Sequence, residues 1–201
     1  MAKQDGRNLR SINSQKLIVN ACIKLFKAGN LEPTAQQVAD ESGVGIRTVF
    51  RQFDEMENLF KSVDAVLSKD YDFNVKYDPS SSFETRLQSV ANHMNAGYKK
   101  HQLIMFMTVS NMWKYEFLRE NFLMYQDRIK DKTEEVLPEV LGFDNESRHL
   151  FHASLSFAMW ARLRGQKLNS GQIKKAMLRQ CLLIANDNNQ YRITSILNLI
   201  L

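Results

Sequence analysis

The sequence is poor in the residues that interrupt helices and build tight turns. Only 3 of its 201 residues are Pro and 8 are Gly, too few for a β-sandwich or barrel with a turn about every ten residues. Runs of β-branched residues are scarce, whereas Met and Phe number 9 and 12. This composition argues against an all-β chain and favours helices.

Long apolar runs and cysteines are also scarce. No stretch of 18 apolar residues occurs, so we expect no membrane-spanning helix. The N-terminal segment MAKQDGRNLRS lacks the apolar core of a secretory signal. Cys22 and Cys181 are far apart and lie inside helical patterns, which indicates buried free thiols in a reducing compartment. We therefore expect a cytoplasmic protein.

The charge is unevenly distributed along the chain. With 44% hydrophobic and 24% charged residues, the protein can bury a core, which excludes general disorder. The net charge is +5, and most of the excess lies in residues 1–53, which hold eight basic and four acidic side chains. Such a segment suits a polyanionic partner, with a solvated basic face as the alternative.

Apolar residues recur at helical spacing over most of the chain, which predicts an all-α fold of about nine helices. The clearest break is Asp78-Pro79-Ser80-Ser81-Ser82. We expect a DNA-binding domain over residues 1–54, a helical regulatory and dimerisation domain over 55–188, and a tail of unknown role over 189–201. The predicted helices cover residues 11–28, 34–42, 45–53, a long fourth helix that starts over 56–67, and then 83–98, 103–113, 117–141, 146–166 and 171–185.

Residues 34–53 have the pattern of two short helices joined by a tight turn. Thr34 and Gln37 form a capping-box pair, and Gly43 can adopt the positive φ of a turn. The second helix would present basic residues to a major groove, which is about 12 Å wide and admits one helix. The pattern predicts a helix-turn-helix, with an ordinary helical hairpin as the alternative. The residues spaced to pack against the first helix are Val38, Ala39, Val44, Val49 and Phe53.

This segment resembles the TetR family of bacterial transcriptional regulators. The likeness is strong over residues 11–67 and weaker beyond them. It implies a repressor that binds a palindromic operator as a homodimer and is released by a small ligand. The residues that match the family pattern are Thr34, Val38, Ala39, Ser42, Gly43, Val44, Thr48, Phe50, Phe53, Met56 and Leu59.

The resemblance also implies which residues contact DNA. Arg47 is the candidate for reading a guanine, and Ile46 for touching a thymine methyl group. Three departures put the exact contacts in question, because Gly45, Phe50 and Met56 stand where Ser, Tyr and Lys are commoner. The predicted DNA-binding set is Thr34, Gln36, Ile46, Arg47, Thr48, Phe50, Arg51 and Gln52.

The basic residues before the first helix pattern, Lys3, Arg7 and Arg10, have two interpretations. They form either a flexible arm near the minor groove or a segment that aids solubility.

The C-terminal part is rich in Met and aromatic residues, which suits a pocket for a mostly apolar ligand. For any one of these residues, a place in the ordinary core is the alternative. The helix over 103–113 is apolar on all sides, so we expect it to be buried all round. The predicted ligand-binding set is Met94, Tyr98, Met105, Met112, Trp113, Phe122, Phe151 and Trp160.

The last two predicted helices are expected to pair with a second copy, since a palindromic operator requires a two-fold protein. The residues expected at this dimer interface are Phe157, Ala161, Ala176, Met177, Gln180 and Ile184.

Other chemistry finds little support in the sequence. His149 and His152 share a helix face, but no third ligand or zinc motif accompanies them, so we expect no metal site. No nucleophile elbow or Gly-rich phosphate loop is present, so we expect neither a cofactor nor an enzyme. The open alternatives are a regulator controlled by a protein partner and, less favoured, a helical enzyme.

Overall fold

The computed structural model describes the backbone of residues 2–200 and the side chains of residues 6–188. Over these residues the fold is all-α, with nine α-helices and no strand, which confirms the predicted fold class. The helices are α1 (Ala2–Lys27), α2 (Ala35–Ser42), α3 (Ile46–Phe53), α4 (Met56–Leu67), α5 (Phe83–Asn111), α6 (Glu116–Val136), α7 (Asn145–Ser154), α8 (Phe157–Gly165) and α9 (Ser170–Ile200).

Two predicted helix boundaries are wrong: two predicted helices are a single helix, and one predicted helix is two. The number of helices therefore stays the same. The helices predicted over 83–98 and 103–113 are one helix, α5, because no Gly or Pro interrupts the chain between them. The helix predicted over 146–166 is split into α7 and α8. The split occurs where the Ser156 side chain accepts a hydrogen bond from the Met159 amide at 3.3 Å and caps the start of α8.

Three further helix ends differ from the prediction, and one of them is the end of α9, which runs to Ile200 and not to 185. α1 begins at Ala2 and not near residue 11, so Arg7 and Arg10 belong to a helix and not to a flexible arm. α6 ends at Val136 and not at 141, because Leu137 precedes Pro138 and leaves the helical conformation with φ −126° and ψ 68°. The side chains of Lys3 and of the tail 189–201 lie outside the described residues.

The chain divides into two compact units, and each is discontinuous in sequence. The first unit comprises Met1–Tyr71 and Gln102–Phe122, and the second comprises Asp72–His101 and Leu123–Leu201. The predicted boundary at residue 54 is therefore too early, because Leu59, Phe60 and Val63 of α4 are buried in the same core cluster as α1, α2 and α3.

The core of the first unit is built around α1 and α4. Phe26 of α1 packs on Phe60 of α4 with ring centroids 5.7 Å apart, and Tyr115 meets Phe60 edge to face at 5.3 Å. Met107 and Leu118 from the second segment of this unit are fully buried in the same cluster. Aromatic pairs of this kind contribute about 1 kcal/mol beyond the area they bury, so they hold α4 firmly on the helix-turn-helix core.

One carboxylate is buried in the first unit without a cation beside it. Asp64 on α4 is 7% exposed, and its Oδ2 accepts a hydrogen bond from the Asn121 side chain at 2.9 Å. Within the described residues it forms no ion pair. Burial raises the pKa of this carboxyl group, and the hydrogen bond from Asn121 opposes that rise only in part. Ionised Asp64 therefore destabilises the fold.

We expect Asp64→Asn to stabilise the protein at neutral pH. The change removes a buried charge and keeps an oxygen that can accept the bond from Asn121. A gain of about 1 kcal/mol would raise Tm by about 2–4 °C in a chain of this size. Because a raised folded-state pKa lowers stability as pH rises above the ordinary carboxyl value, the gain should vanish near pH 3. Thermal melts against pH measure it, with exposed Asp70→Asn as the matched control. An equal gain in both variants would contradict this account.

The second unit is organised by one buried arginine and one antiparallel helix pair. Arg86 of α5 donates to the Val136 carbonyl at 2.6 Å and pairs with Glu139, which ties α5 to the end of α6. The pKa of Glu139 is lowered, and the hydrogen bond from the Arg86 side chain is the largest cause. α7 and α9 run antiparallel, because Cys181 lies against the Phe151 carbonyl at 3.9 Å while Asn188 contacts Asp144.

Among the described residues, none of the helices has both the length and the apolar character required to cross a membrane.

Candidate nucleic-acid interface

The segment predicted as a helix-turn-helix forms two short helices joined at Gly43. Thr34 caps α2 through a complete capping box: its Oγ1 accepts from the Gln37 amide at 3.3 Å, and its own amide donates to Gln37 Oε1 at 2.9 Å. These bonds satisfy amides that the start of a helix leaves without partners. The position and start of α2 therefore follow from two residues that sequence reasoning had identified.

The turn depends on the conformation of Gly43. Its φ is +71°, in the left-handed region, and its amide donates to the Ala39 carbonyl at 3.0 Å. A Cβ atom at Gly43 would meet nothing within 4 Å, so glycine is required by its backbone angle and not by space. α3 follows after Gly45, which offers no side-chain cap.

The inner faces of α2 and α3 are buried as predicted. Val38, Ala39, Val49 and Phe53 are each at most 7% exposed, and Val44 is half-buried against the same core. A hydrogen bond from Ser11 Oγ to Gln52 Oε1 at 3.0 Å links α1 to α3. α3 is thus held from behind by α1 and α2.

The outer face of α3 carries two arginines and an exposed aromatic ring. Arg47 and Arg51 are exposed and form no ion pair or hydrogen bond within the described residues. Phe50 between them is 48% exposed. A rigid helix with two free guanidinium groups can donate bidentate hydrogen bonds to phosphates or to guanine edges, while the Phe50 ring can contact sugar or a thymine methyl group.

Several predicted DNA contacts are occupied by bonds within the protein. Gln36 Nε2 donates to Asp40 Oδ1 at 2.7 Å, Gln52 accepts from Ser11, and the Thr34 hydroxyl caps α2. Ile46 and Thr48 are half-buried, and Ile46 packs against the core cluster. Of the predicted DNA-binding set, Arg47, Phe50 and Arg51 are thus the residues whose side chains are exposed and form no hydrogen bond or ion pair within the described part of the chain.

The residues predicted to bind a ligand are divided between the two units. Met94, Tyr98, Phe151 and Trp160 belong to the second unit, where each is at most 6% exposed. Met105, Met112, Trp113 and Phe122 belong to the first unit.

The four ligand candidates of the second unit form a packed core. The Tyr98 hydroxyl donates to the Leu155 carbonyl at 2.8 Å, and Trp160 Nε1 donates to Asn95 Oδ1 at 3.0 Å. Burial raises the pKa of Tyr98 well above its usual range. Phe157 and Trp160 are stacked with centroids 5.7 Å apart. Both polar ends are satisfied inside the protein, as a core requires.

The helical segment over 103–113 is not buried all round, which corrects the prediction. Leu103 is 38% exposed and Trp113 is 81% exposed, whereas Ile104 and Met107 are buried. Met105 and Met112 are half-buried against the first unit's core. Trp113 therefore lines no enclosed pocket in this structure.

Three residues predicted at the dimer interface are buried within their own chain, which corrects their assignment. Phe157, Met177 and Ile184 are at most 8% exposed, so they stabilise one protomer and cannot form its contact surface. Ala161 and Ala176 are half-buried and Gln180 is exposed. Sequence reasoning missed Leu150 of α7 and Leu183 of α9, which are 51% and 49% exposed on the two antiparallel helices.

Both cysteines of the described residues are buried, and His93 and His152 have hydrogen-bond partners, whereas His149 is exposed. No group of three or more metal-binding side chains occurs in this part of the chain. His152 Nε2 lies 2.8 Å from Glu134 Oε1, and Arg148 makes two bonds to the same carboxylate. Burial lowers the pKa of His152 despite Glu134. Burial also raises the pKa of the Cys22 and Cys181 thiols to about 12, which makes both poor nucleophiles.

No protein-family model matches the chain, and a search of curated proteins finds no significant match. What the chain does therefore has to be inferred from its own residues and their geometry.

Proposed function

We propose that the chain is a transcriptional regulator of the TetR type that binds operator DNA as a homodimer, with α3 in the major groove. The observation that carries this proposal is the outer face of α3, where Arg47 and Arg51 have no partner among the residues whose side chains are described and lie beside exposed Phe50. Free arginines on a braced helix are suited to reading guanine and binding phosphate. The excess of basic over acidic side chains in residues 1–53 also favours DNA as the partner.

The proposed homodimer uses the exposed face of α7 and α9. Leu150 and Leu183 form its apolar centre, with exposed Ala153, Arg179 and Gln180 nearby on the same helices. A two-fold axis through such a face gives an interface of four helices, α7 and α9 from each protomer. The same surface patch of both protomers then forms the contact. Two copies would then offer two recognition helices to the two halves of a palindrome.

We also propose that the protein is a repressor released by a small, mostly apolar ligand. The support is the Met and aromatic content of the second unit, including Met94, Tyr98 and Trp160. These side chains are buried in the described structure, and Tyr98 and Trp160 have ring centroids 6.1 Å apart. A ligand would therefore enter by displacing such side chains, to which the flexible side chain of Met is suited.

The direct test is selection of bound DNA from a random pool with the full-length protein. We expect enrichment of an inverted repeat whose half-sites lie about one helical turn or a multiple of it apart. The enriched site should bind more tightly than a scrambled site at moderate salt, where nonspecific electrostatic binding is weak. Equal binding to the two sequences would refute sequence-specific recognition.

A further inference from the structure

An open groove of about 690 Å³ lies between α1, α3 and α4, entirely within the first unit. Its apolar part contains Val19 and Phe53, which are nearly buried, and Ile12 and Val66, which are 49% and 46% exposed. Leu9, one turn before Ile12 on α1, is 61% exposed. The groove thus continues an apolar stripe of α1 that remains exposed among the described residues of this unit.

The polar residues around the groove are predominantly positive. Lys16, Arg51 and Lys61 line it, and Asp54 is the one carboxylate among the lining residues. Lys16 and Arg51 have no ion-pair partner within the described part of the chain. Lys61 pairs with Glu57 at 2.8 Å, on the exposed side of α4, where such a pair contributes little to stability. The side chains of all three cations can therefore form ion pairs with a negatively charged molecule bound in the groove.

The dimensions of the groove suit a short helix. Residues 12–20 of α1 form one wall and residues 58–66 of α4 form the other. Eight residue steps at 1.5 Å span about 12 Å, or roughly two helical turns. Grooves with exposed apolar residues along their walls commonly bind the apolar face of an amphipathic helix.

We propose that this groove docks an acidic amphipathic helix of a partner protein. The apolar stripe of the helix would cover Ile12 and Val66, and its carboxylates would meet Lys16 and Arg51. A second copy of this chain fits less well, because a symmetric contact would bring identical cations together. A nucleic-acid backbone supplies the negative charge but has no aliphatic stripe to cover the apolar floor.

The position of the groove gives this contact a regulatory consequence. Arg51 and Gln52 line the groove and also belong to the predicted DNA-binding set. An acidic helix paired with Arg51 would therefore compete with DNA for the same guanidinium group. This competition rests on the proposed DNA-binding function, whereas the docking itself does not.

The docking test uses a synthetic, fluorescently labelled peptide of about 14 residues with Leu along one helix face and Glu on the flanks. Fluorescence anisotropy with the full-length protein and no DNA should give a micromolar Kd. Lys16→Glu and Ile12→Asp should each weaken binding at least tenfold. Lys27→Glu, an equal charge change on an exposed residue of α1 outside the groove, should weaken it less than threefold.

A scrambled peptide of the same composition distinguishes a docking groove from general charge attraction. Equal binding of the ordered and scrambled peptides, equal losses in the Lys16→Glu and Lys27→Glu variants, or no binding up to 1 mM would each overturn the proposal. If Lys16→Glu weakens binding to the selected DNA while the peptide fails to bind, the groove contacts phosphate and the proposal is again wrong. If the peptide docks but no DNA sequence is selected, docking stands and the proposed function fails.

Discussion

Leu183→Asp should separate the proposed dimer into folded monomers, whereas Met177→Asp should unfold the protein. Leu183 is half exposed on α9 and Met177, six residues earlier, is fully buried. Because the proposed interface is two-fold symmetric, the new carboxylate occurs twice in it. We therefore expect the binding free energy of the dimer to weaken by about 2–4 kcal/mol, which raises the dimer Kd by roughly 30- to 1,000-fold. A buried, unpaired charge at Met177 removes several kcal/mol of the 5–15 kcal/mol that typically stabilises a fold.

Sedimentation velocity and circular dichroism together test this pair of variants. Leu123→Asp is the matched control, because it makes the same change at a 55% exposed leucine of α6 and should leave both dimer and fold intact. A dimeric Leu183→Asp variant would show that the α7 and α9 face is not the interface. A wild-type protein that is monomeric at micromolar concentration would refute the homodimer itself.

Arg47→Ala should weaken binding to the selected operator by about 1–3 kcal/mol, which corresponds to roughly 5- to 150-fold. Arg47 is exposed on α3 and has no partner among residues 6–188, so its loss should leave the fold unchanged. If the guanidinium group reads a guanine, the variant should also tolerate any base pair at one position of each half-site. A repeated selection with the variant measures both effects.

Lys27→Ala provides the electrostatic control for Arg47→Ala. Lys27 is exposed near the end of α1, and its removal changes the net charge by the same amount. It should reduce binding to all DNA sequences slightly and leave the selected site unchanged. If the two variants lose affinity equally and both retain the wild-type site, Arg47 contributes charge alone and base reading must be assigned elsewhere.

The helix-turn-helix geometry was predictable because its signals are local. Thr34 and Gln37 set the start of α2, Gly43 sets the turn, and the spacing of Val38, Ala39, Val49 and Phe53 sets the buried face. Each depends on residues within a few positions of one another. The same kind of signal, Ser156 as an N-cap, was available for the break between α7 and α8 but was hidden inside a continuous helical pattern.

The other differences from prediction arise because periodicity identifies an apolar face but not what packs on it. Met177 and Ile184 were expected to meet a second copy, yet residues of the same chain cover them. Trp113 was expected in a pocket because of its neighbours in sequence, and it is exposed at the end of α5. Lys16 could not be associated with Arg51 from the sequence, since the groove they share depends on how three helices cross.

The discontinuity of the two units bears on how the protein is made on the ribosome. Ile104, Met107 and Leu118 are buried in the core of the first unit, but they are synthesised after Asp72–His101, which belongs to the second unit. Nascent domains commonly fold in order from the N-terminus. Here the first unit cannot complete its core before part of the second unit has been synthesised. The core of the first unit stays incomplete until the chain has been translated to Phe122, and the second unit needs α9, which is synthesised after α8. Both units are thus completed late, and a chain stalled between residues 72 and 122 would display the unfinished core to chaperones and proteases.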